Sequence, residues 1–215
     1  MATQTSGMTS FNTLARSGEY TTGAYAYRWV NRTDAQTSNN VYANLSLSDG
    51  TFTPIPGGSV PTTLTNQTVN YFVITGLSST VPSGSTINGI TVKIERYNTN
   101  GTNDFPTTIN DNAIYLTKDG STVVGNNKST GAAWQSSDNN TTVDFGGAAD
   151  LWGTTWTAAE VNASTFGVMM SPCLTFNLFA ENGGSARVDQ VTITVDYTGG
   201  SVRRRAVFSS ECNFD

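Results

Sequence analysis

Between two β-like runs the chain reads "NTNGTNDFPTTINDN", residues 98–112. Among its oxygen-bearing side chains, Asn100, Asn103, Asp104, Asp111 and Asn112 are the candidate donors. Calcium takes roughly six to eight such oxygens, so a cation site is one reading. The spacing does not match an EF-hand loop. Asn and Asp are also what turns use to bond their own backbone, and turn chemistry is the expected reading. Carboxylate pairs could run glycoside hydrolysis, and the candidates are Glu95, Asp104, Asp111, Glu160 and Asp189. No two are placed by sequence on a common face. Histidine is absent, which removes Ser-His-Asp and Cys-His catalysis and most zinc sites. No catalytic residue, metal or cofactor is expected.

Four tryptophans, Trp29, Trp134, Trp152 and Trp156, could stack on sugars or fill a core. At least two are expected to be buried, and Trp134 and Trp152 are the candidates for glycan stacking. "GGSARVD" (183–189) has a glycine pair but no strand-to-helix context, so it reads as a hairpin turn and not a phosphate loop. Cys173 and Cys212 sit in no metal or redox spacing, and no disulfide between them is expected. The C-terminal tail holds the one basic cluster, Arg203, Arg204 and Arg205, followed by Val207 and Phe208. It reads as a docking arm: arginines for a partner's carboxylates, apolar residues for a groove.

These residues must be positioned by strands. "NVYANLSL" (40–47) alternates Val41, Ala43, Leu45 and Leu47 against polar neighbours, the period of a half-buried strand. "VNYFVITGL" (69–77) is apolar on both faces and reads as a central strand. In "INGITVKIERY" (87–97), Ile90, Val92 and Ile94 point one way, and Thr91, Lys93 and Glu95 the other. "NAIYLTKDGSTVVG" (112–125) reads as a hairpin turning at Lys118 to Ser121. "TFGVMMSP" (165–172) and "LTFNLFA" (174–180) read as two strands. "ARVDQVTITVDY" (186–197) closes the domain, with Val191, Ile193, Val195 and Tyr197 on one face. "TAAEVN" (157–162) is the best helix start: Thr157 can cap, and Glu160 can reach back to it. Residues 1–20 show little periodicity.

That is about eight to ten strands with regular turn signals and almost no helix, the pattern of an antiparallel, jelly-roll-like β-sandwich. Residues 23–198 form the domain, with an N-terminal arm over 1–22 and a C-terminal arm over 199–215. The 215 residues fit one β domain. Only 13% are charged, about half the usual share, while 37% are hydrophobic, enough for a core. The net charge of −5 argues against coating nucleic acid, which needs a basic surface. No apolar run approaches the ~20 residues that span a bilayer, and the N-terminus lacks a basic start followed by an apolar run. The expectation is a soluble protein made in a cytoplasm, with no membrane partner.

Five segments in order, "NNVYAN", "YFVITGLSSTVPSGSTINGITVKIER", "DNAIYLTKDGSTVVGNNKSTGAAW", "VDFGGAADLWGTTWTAAEVNASTFGVMM" and "ARVDQVTITVDY", resemble a β-sandwich domain. That domain recurs in tailed-bacteriophage structural proteins and prophage-like regions of bacterial genomes. The resemblance spans roughly Trp29 to Tyr197 and carries no catalytic residues. It implies a virion structural protein, a capsid decoration or cement protein or a similar head or tail accessory. Its partners would be the major capsid protein or neighbouring copies, in a dimer or trimer. The alternative is a glycan-binding module of a phage tail fibre.

Overall fold

The computed structural model describes residues 1–14, 27–47, 63–76, 80–98, 108–136, 141–177 and 186–199. Two antiparallel sheets pack face to face. The first holds β1 (Ala2–Gly7), β3 (Tyr27–Val30), β4 (Ala43–Leu47), β7 (Ser85–Asn98), β9 (Thr142–Gly147) and β11 (Ala186–Gly199). The second holds β2 (Ser10–Leu14), β5 (Thr63–Thr68), β6 (Tyr71–Thr75), β8 (Thr108–Thr117) and β10 (Gly167–Asn177).

Each sheet is built on a long strand with a full-length partner on one side and two short strands end to end on the other. β11 pairs with β7 along its length, and on its other edge with β4 and then β1. β10 pairs with β8 along its length, and on its other edge with β6 and then β5. From β6 onward the named strands alternate between the sheets, and the pairs nest: β1 with β11, β6 with β10, β7 with β9. After β8 the chain returns along its free edge, where Val124 N–H donates to Leu116 O (2.8 Å), Lys128 N–H to Ile114 O (3.0 Å) and Trp134 N–H to Ile109 O (2.7 Å). This return makes the fourth nested pair, and the wrap is that of a jelly roll.

The period-two reading decides the core. Ile90, Val92 and Ile94 of β7 and Val191, Ile193 and Val195 of β11 are all fully buried. They face Phe72, Ile74, Ile114, Leu116, Val168 and Met170 of the second sheet within one cluster. The opposite face of the first sheet carries Thr91, Lys93, Thr192 and Thr194, partly or fully exposed. β6 is buried on both faces: Tyr71 and Val73 join Ala113 and Met169 in a second apolar cluster.

Three sequence expectations need correction. Residues 2–14 are not part of an arm, because they form β1 and β2, one strand in each sheet. β1, "ATQTSG", lacks apolar alternation, so its pairing is carried by the backbone ladder to β11 and by a Thr5–Thr194 hydroxyl pair (2.7 Å). Val41 is exposed, because β4 begins only at Ala43, and its neighbour Tyr42 is buried against Tyr97 and the Arg187 guanidinium. β10 runs straight through Pro172, which sits at a shift in register opposite β8. A bulge is where a strand tolerates a residue with no N–H to donate. The remainder of the N-terminal arm and all of the C-terminal arm after Gly199 lie outside the described residues.

Candidate functional site

The inward parity of β7 does not stop at Ile94. The next residue on that face is Arg96, and a guanidinium in a sandwich interior requires a carboxylate. Asp111 of β8 supplies it across the gap between the sheets. Both side chains are almost wholly buried. The second oxygen of Asp111 accepts the indole N–H of Trp134 (2.8 Å). The Trp134 ring lies under the Arg96 guanidinium, 5.0 Å from centroid to Cζ, with Phe145 at 5.9 Å. Burial pushes Asp111 up from the ordinary carboxylate range, opposed by the Arg96 charge and the two donors. Burial likewise lowers Arg96, opposed by Asp111.

Beside this pair, on the outer face of the second sheet, lies a groove of about 480 Å³. Thr108, Asn110, Asp111 and Asn112 of β8, Cys173 and Thr175 of β10, and Gly131 line it. Register places Asn110 beside Cys173 and Thr108 beside Thr175. The Asn110 carboxamide is fixed by donating to Gly131 O (2.9 Å). Asn127 holds the strand from the other side, donating to Asn112 O (2.8 Å) and accepting from Ile114 N–H (2.9 Å). The end of the segment over residues 98–112 thus forms the floor of a groove.

The motif "DLWG" is a knot. Asp150 accepts the N–H of Trp152 (2.7 Å) and pairs with Lys128 (2.6 Å). Trp152 has a positive φ of 60° and donates its indole N–H to Ile90 O (2.8 Å). Its own carbonyl receives Asn126 N–H (2.6 Å). At Gly146 (φ +81°) a Cβ would run into Ile90 O and the Trp152 indole, which is why "VDFGG" needs glycine there. Burial raises the Asp150 carboxyl, but the Lys128 and Trp152 donors outweigh it and hold it below the ordinary range.

All four tryptophans are buried, Trp134 at 5% exposure and Trp152 at 0%. The assignment of Trp134 and Trp152 to glycan stacking is therefore corrected: one ring covers a guanidinium, the other is locked into the core. Among the described acidic candidates, Asp189 is the bulge residue of β11 opposite Glu95 and Arg96, so Glu95 and Asp189 lie on neighbouring strands, while Asp111 and Glu160 are each paired with a cation. Glu160 caps α1 (Ala158–Val161) through Thr157, the capping box expected from sequence, and pairs with Lys118 (2.7 Å). The Lys118 hydrogen bond and the Thr157 N–H lower its pKa. Asp189, at a bulge of β11, accepts the N–H groups of Asn39 (3.1 Å) and Asn40 (3.0 Å). Glu95 is buried on the outer face of the first sheet. Among the described residues no three His, Cys, Asp or Glu are grouped to hold a metal. Asn100, Asn103 and Asp104, the tail residues Arg203, Arg204, Arg205, Val207 and Phe208, and Cys212 lie outside the described residues. Arg96 and Thr175 were not singled out from sequence, and Cys173 was weighed only for a disulfide or metal; the parity of β7 is the signal that points to Arg96.

No protein-family model, curated protein or solved structure matches the chain.

Proposed function

We propose that the chain is a virion structural protein, a capsid decoration or cement protein or a similar head or tail accessory. The observation that carries this reading is the jelly-roll wrap, an architecture shared by viral shell and lectin domains. The internal use of its distinctive motifs favours the shell side of that choice. "INGI", "DLWG" and "VDFGG" meet at the Trp152 knot, where Ile90, Asp150 and Gly146 hold one another. The tryptophans that would have offered sugar-stacking platforms are interior. A rigid body of this kind serves a particle by presenting surface and arms to its neighbours.

In this reading the partners are the major capsid protein or neighbouring copies, met in part by Arg203, Arg204, Arg205, Val207 and Phe208 through carboxylates and an apolar groove. The protein is made in a host cytoplasm and located in the virion, as a homo-oligomer, trimer or dimer. The test is co-purification. The protein should sediment with particles at a fixed copy number per particle. A chain deleted from Ser201 onward should keep its melting temperature while binding particles more weakly and with greater salt sensitivity. Sedimentation apart from particles overturns the reading. Undiminished particle binding by the truncated chain overturns the arm.

A further inference from the structure

We infer that the outer edge of β9 is a pairing surface for a second copy of the chain, the two β9 strands running antiparallel across a twofold axis. The alternation of β7 decides which backbone groups of β9 are already bonded. Ile90 donates its N–H to Asp150 O (3.0 Å), and its carbonyl receives the Trp152 indole N–H (2.8 Å). Both partners follow β9 in the chain, so the backbone groups of Ile90 point to the β9 side, and those of Val92 and Ile94 do so by alternation. Register sets Val92 against Phe145 and Ile94 against Val143. Phe145 and Val143 therefore turn their N–H and C=O groups to β7, and Thr142 and Asp144 turn theirs away from it. Among the described residues, β7 is the one strand that pairs with β9, and no hydrogen bond reaches the backbone of Thr142 or Asp144 from the other side. Both residues are exposed.

A bare strand edge is a template for another strand, and folded chains blunt it with proline, lysine, a bulge or a cover. The chain does so at β8, whose free edge is covered by the return over residues 124–134. β9, "TVDFGG", holds no proline, lysine or bulge. Its one charge is Asp144, beside Lys93 of β7 (3.9 Å). Its inward residue Val143 is left only partly buried at the rim of the core. With the twofold axis at Val143, that side chain meets its own copy, Asp144 falls opposite Thr142, and Phe145 opposite Thr141, so no like charges oppose one another. Thr142 and Asp144 then exchange N–H···O bonds across the axis, and both bare edges close at once, as an isologous contact requires. A register centred on Asp144 would set two carboxylates against each other. One centred on Phe145 would lean on Gly146, whose φ of 81° is not that of a strand. The pairing deepens the homo-oligomer part of the proposed reading by choosing the dimer, and it needs no particle to form.

Sedimentation equilibrium of the purified full chain tests this, at loadings up to roughly 1 mM because contacts under ~1,200 Å² are weak. Monomer and dimer in exchange are expected. Thr142→Lys sets a cation opposite Asp144 of the other copy and should tighten the dimer, the gain fading with salt. Thr142→Asp sets two carboxylates opposite each other and should loosen it. Each change should move the dissociation constant about tenfold, since the twofold counts every pair twice. Thr142 is exposed, so both variants should keep the melting temperature of the monomer. In full-length protein carrying Cys173→Ser and Cys212→Ser, Val143→Cys should form an interchain disulfide on mild oxidation, because such a non-bonded pair holds its Cα atoms about 4.5 Å apart. Asp144→Cys in the same background should not, since its copy lies farther off than the ~7 Å a disulfide spans. A monomer at every loading overturns the inference. So does a dimer that both Thr142 variants leave unchanged, or one that Val143→Cys fails to trap, because another surface then forms it. A monomer that still sediments with particles overturns this inference and supports the virion reading. A β9 dimer that sediments apart from particles supports this inference and overturns the virion reading.

Discussion

Replacing Asp111 by Ala should be among the most damaging single changes in the described part of the chain. Asp111 is the carboxylate paired with Arg96 across the sandwich, and both side chains are within 2% of full burial. Removing the carboxylate strands a guanidinium in the interior, a loss of about 3–5 kcal/mol. It also leaves the Trp134 indole N–H without its acceptor, a cost of about 1–3 kcal/mol. The two overlap, because one carboxylate serves both donors, so about 4–6 kcal/mol is expected. That approaches the whole stability of an ordinary domain, about 5–15 kcal/mol. Asp111→Asn keeps an oxygen for the indole and should fall below that loss. The double variant Arg96→Met with Asp111→Leu removes both charges at similar volume. Its cost should be only that of the orphaned indole, about 1–3 kcal/mol, and adding Trp134→Phe should recover most of it.

Urea denaturation followed by far-UV circular dichroism measures each value, with the slope m checked for constancy so that the midpoints can be compared. The decisive comparison is between the double variant and the sum of its singles. A strongly favourable coupling means the ion pair spans the sheets as described. Additive losses, or a loss below about 1 kcal/mol for Asp111→Ala, would refute the buried pair.

Other expectations follow from the same packing. Ile90→Ala and Ile193→Ala should each cost about 2–5 kcal/mol in the same assay, through the cavity left in a closed core. Gly146→Ala combines a positive φ with a blocked Cβ position; it should cost at least about 2 kcal/mol and lower the melting temperature accordingly. Stability should fall as pH drops below the ordinary carboxylate range. Asp150 and Glu160 are held below that range in the folded chain, so the unfolded chain binds more protons, and their contribution is complete above the unfolded values and lost as pH falls through the folded ones. Asp150→Asn and Glu160→Gln should flatten urea midpoints plotted against pH. EDTA should leave the melting temperature unchanged, since Asp111 is committed to Arg96 and Trp134.

Where apolar residues carried the period, the strands were legible: β7 and β11 could be oriented from Ile90, Val92, Ile94, Val191, Ile193 and Val195. The helix start at Thr157 was legible because a capping box is local, complete within four residues. β1 was not, because its strand order comes from a backbone ladder to residues nearly two hundred positions away, and ladders leave no mark on side-chain pattern. "DLWG" was conspicuous, but its meaning lay in a bond from Trp152 to Ile90 that spacing alone does not suggest. Trp134 misled for a related reason. A tryptophan face suits a sugar ring and a guanidinium equally, and the choice was made by Arg96, a residue of another strand.

The polar segment over residues 98–112 shows how far such a reading reaches. Its composition pointed to turn chemistry or oxygen ligands, and both readings treated Asp111 and Asn112 as loop residues. They belong to a strand instead, whose pairing with β10 shifts register there, between the partners of Ser171 and Pro172 sixty residues on. Ordinary strand alternation turns Asp111 inward to Arg96 while Asn110, next to it, faces out. The same few residues therefore hold the sheets together on one side and form a polar floor on the other. A single strand thus carries a buried ion pair on one face and uncharged side chains, Thr108 and Asn110, on the other.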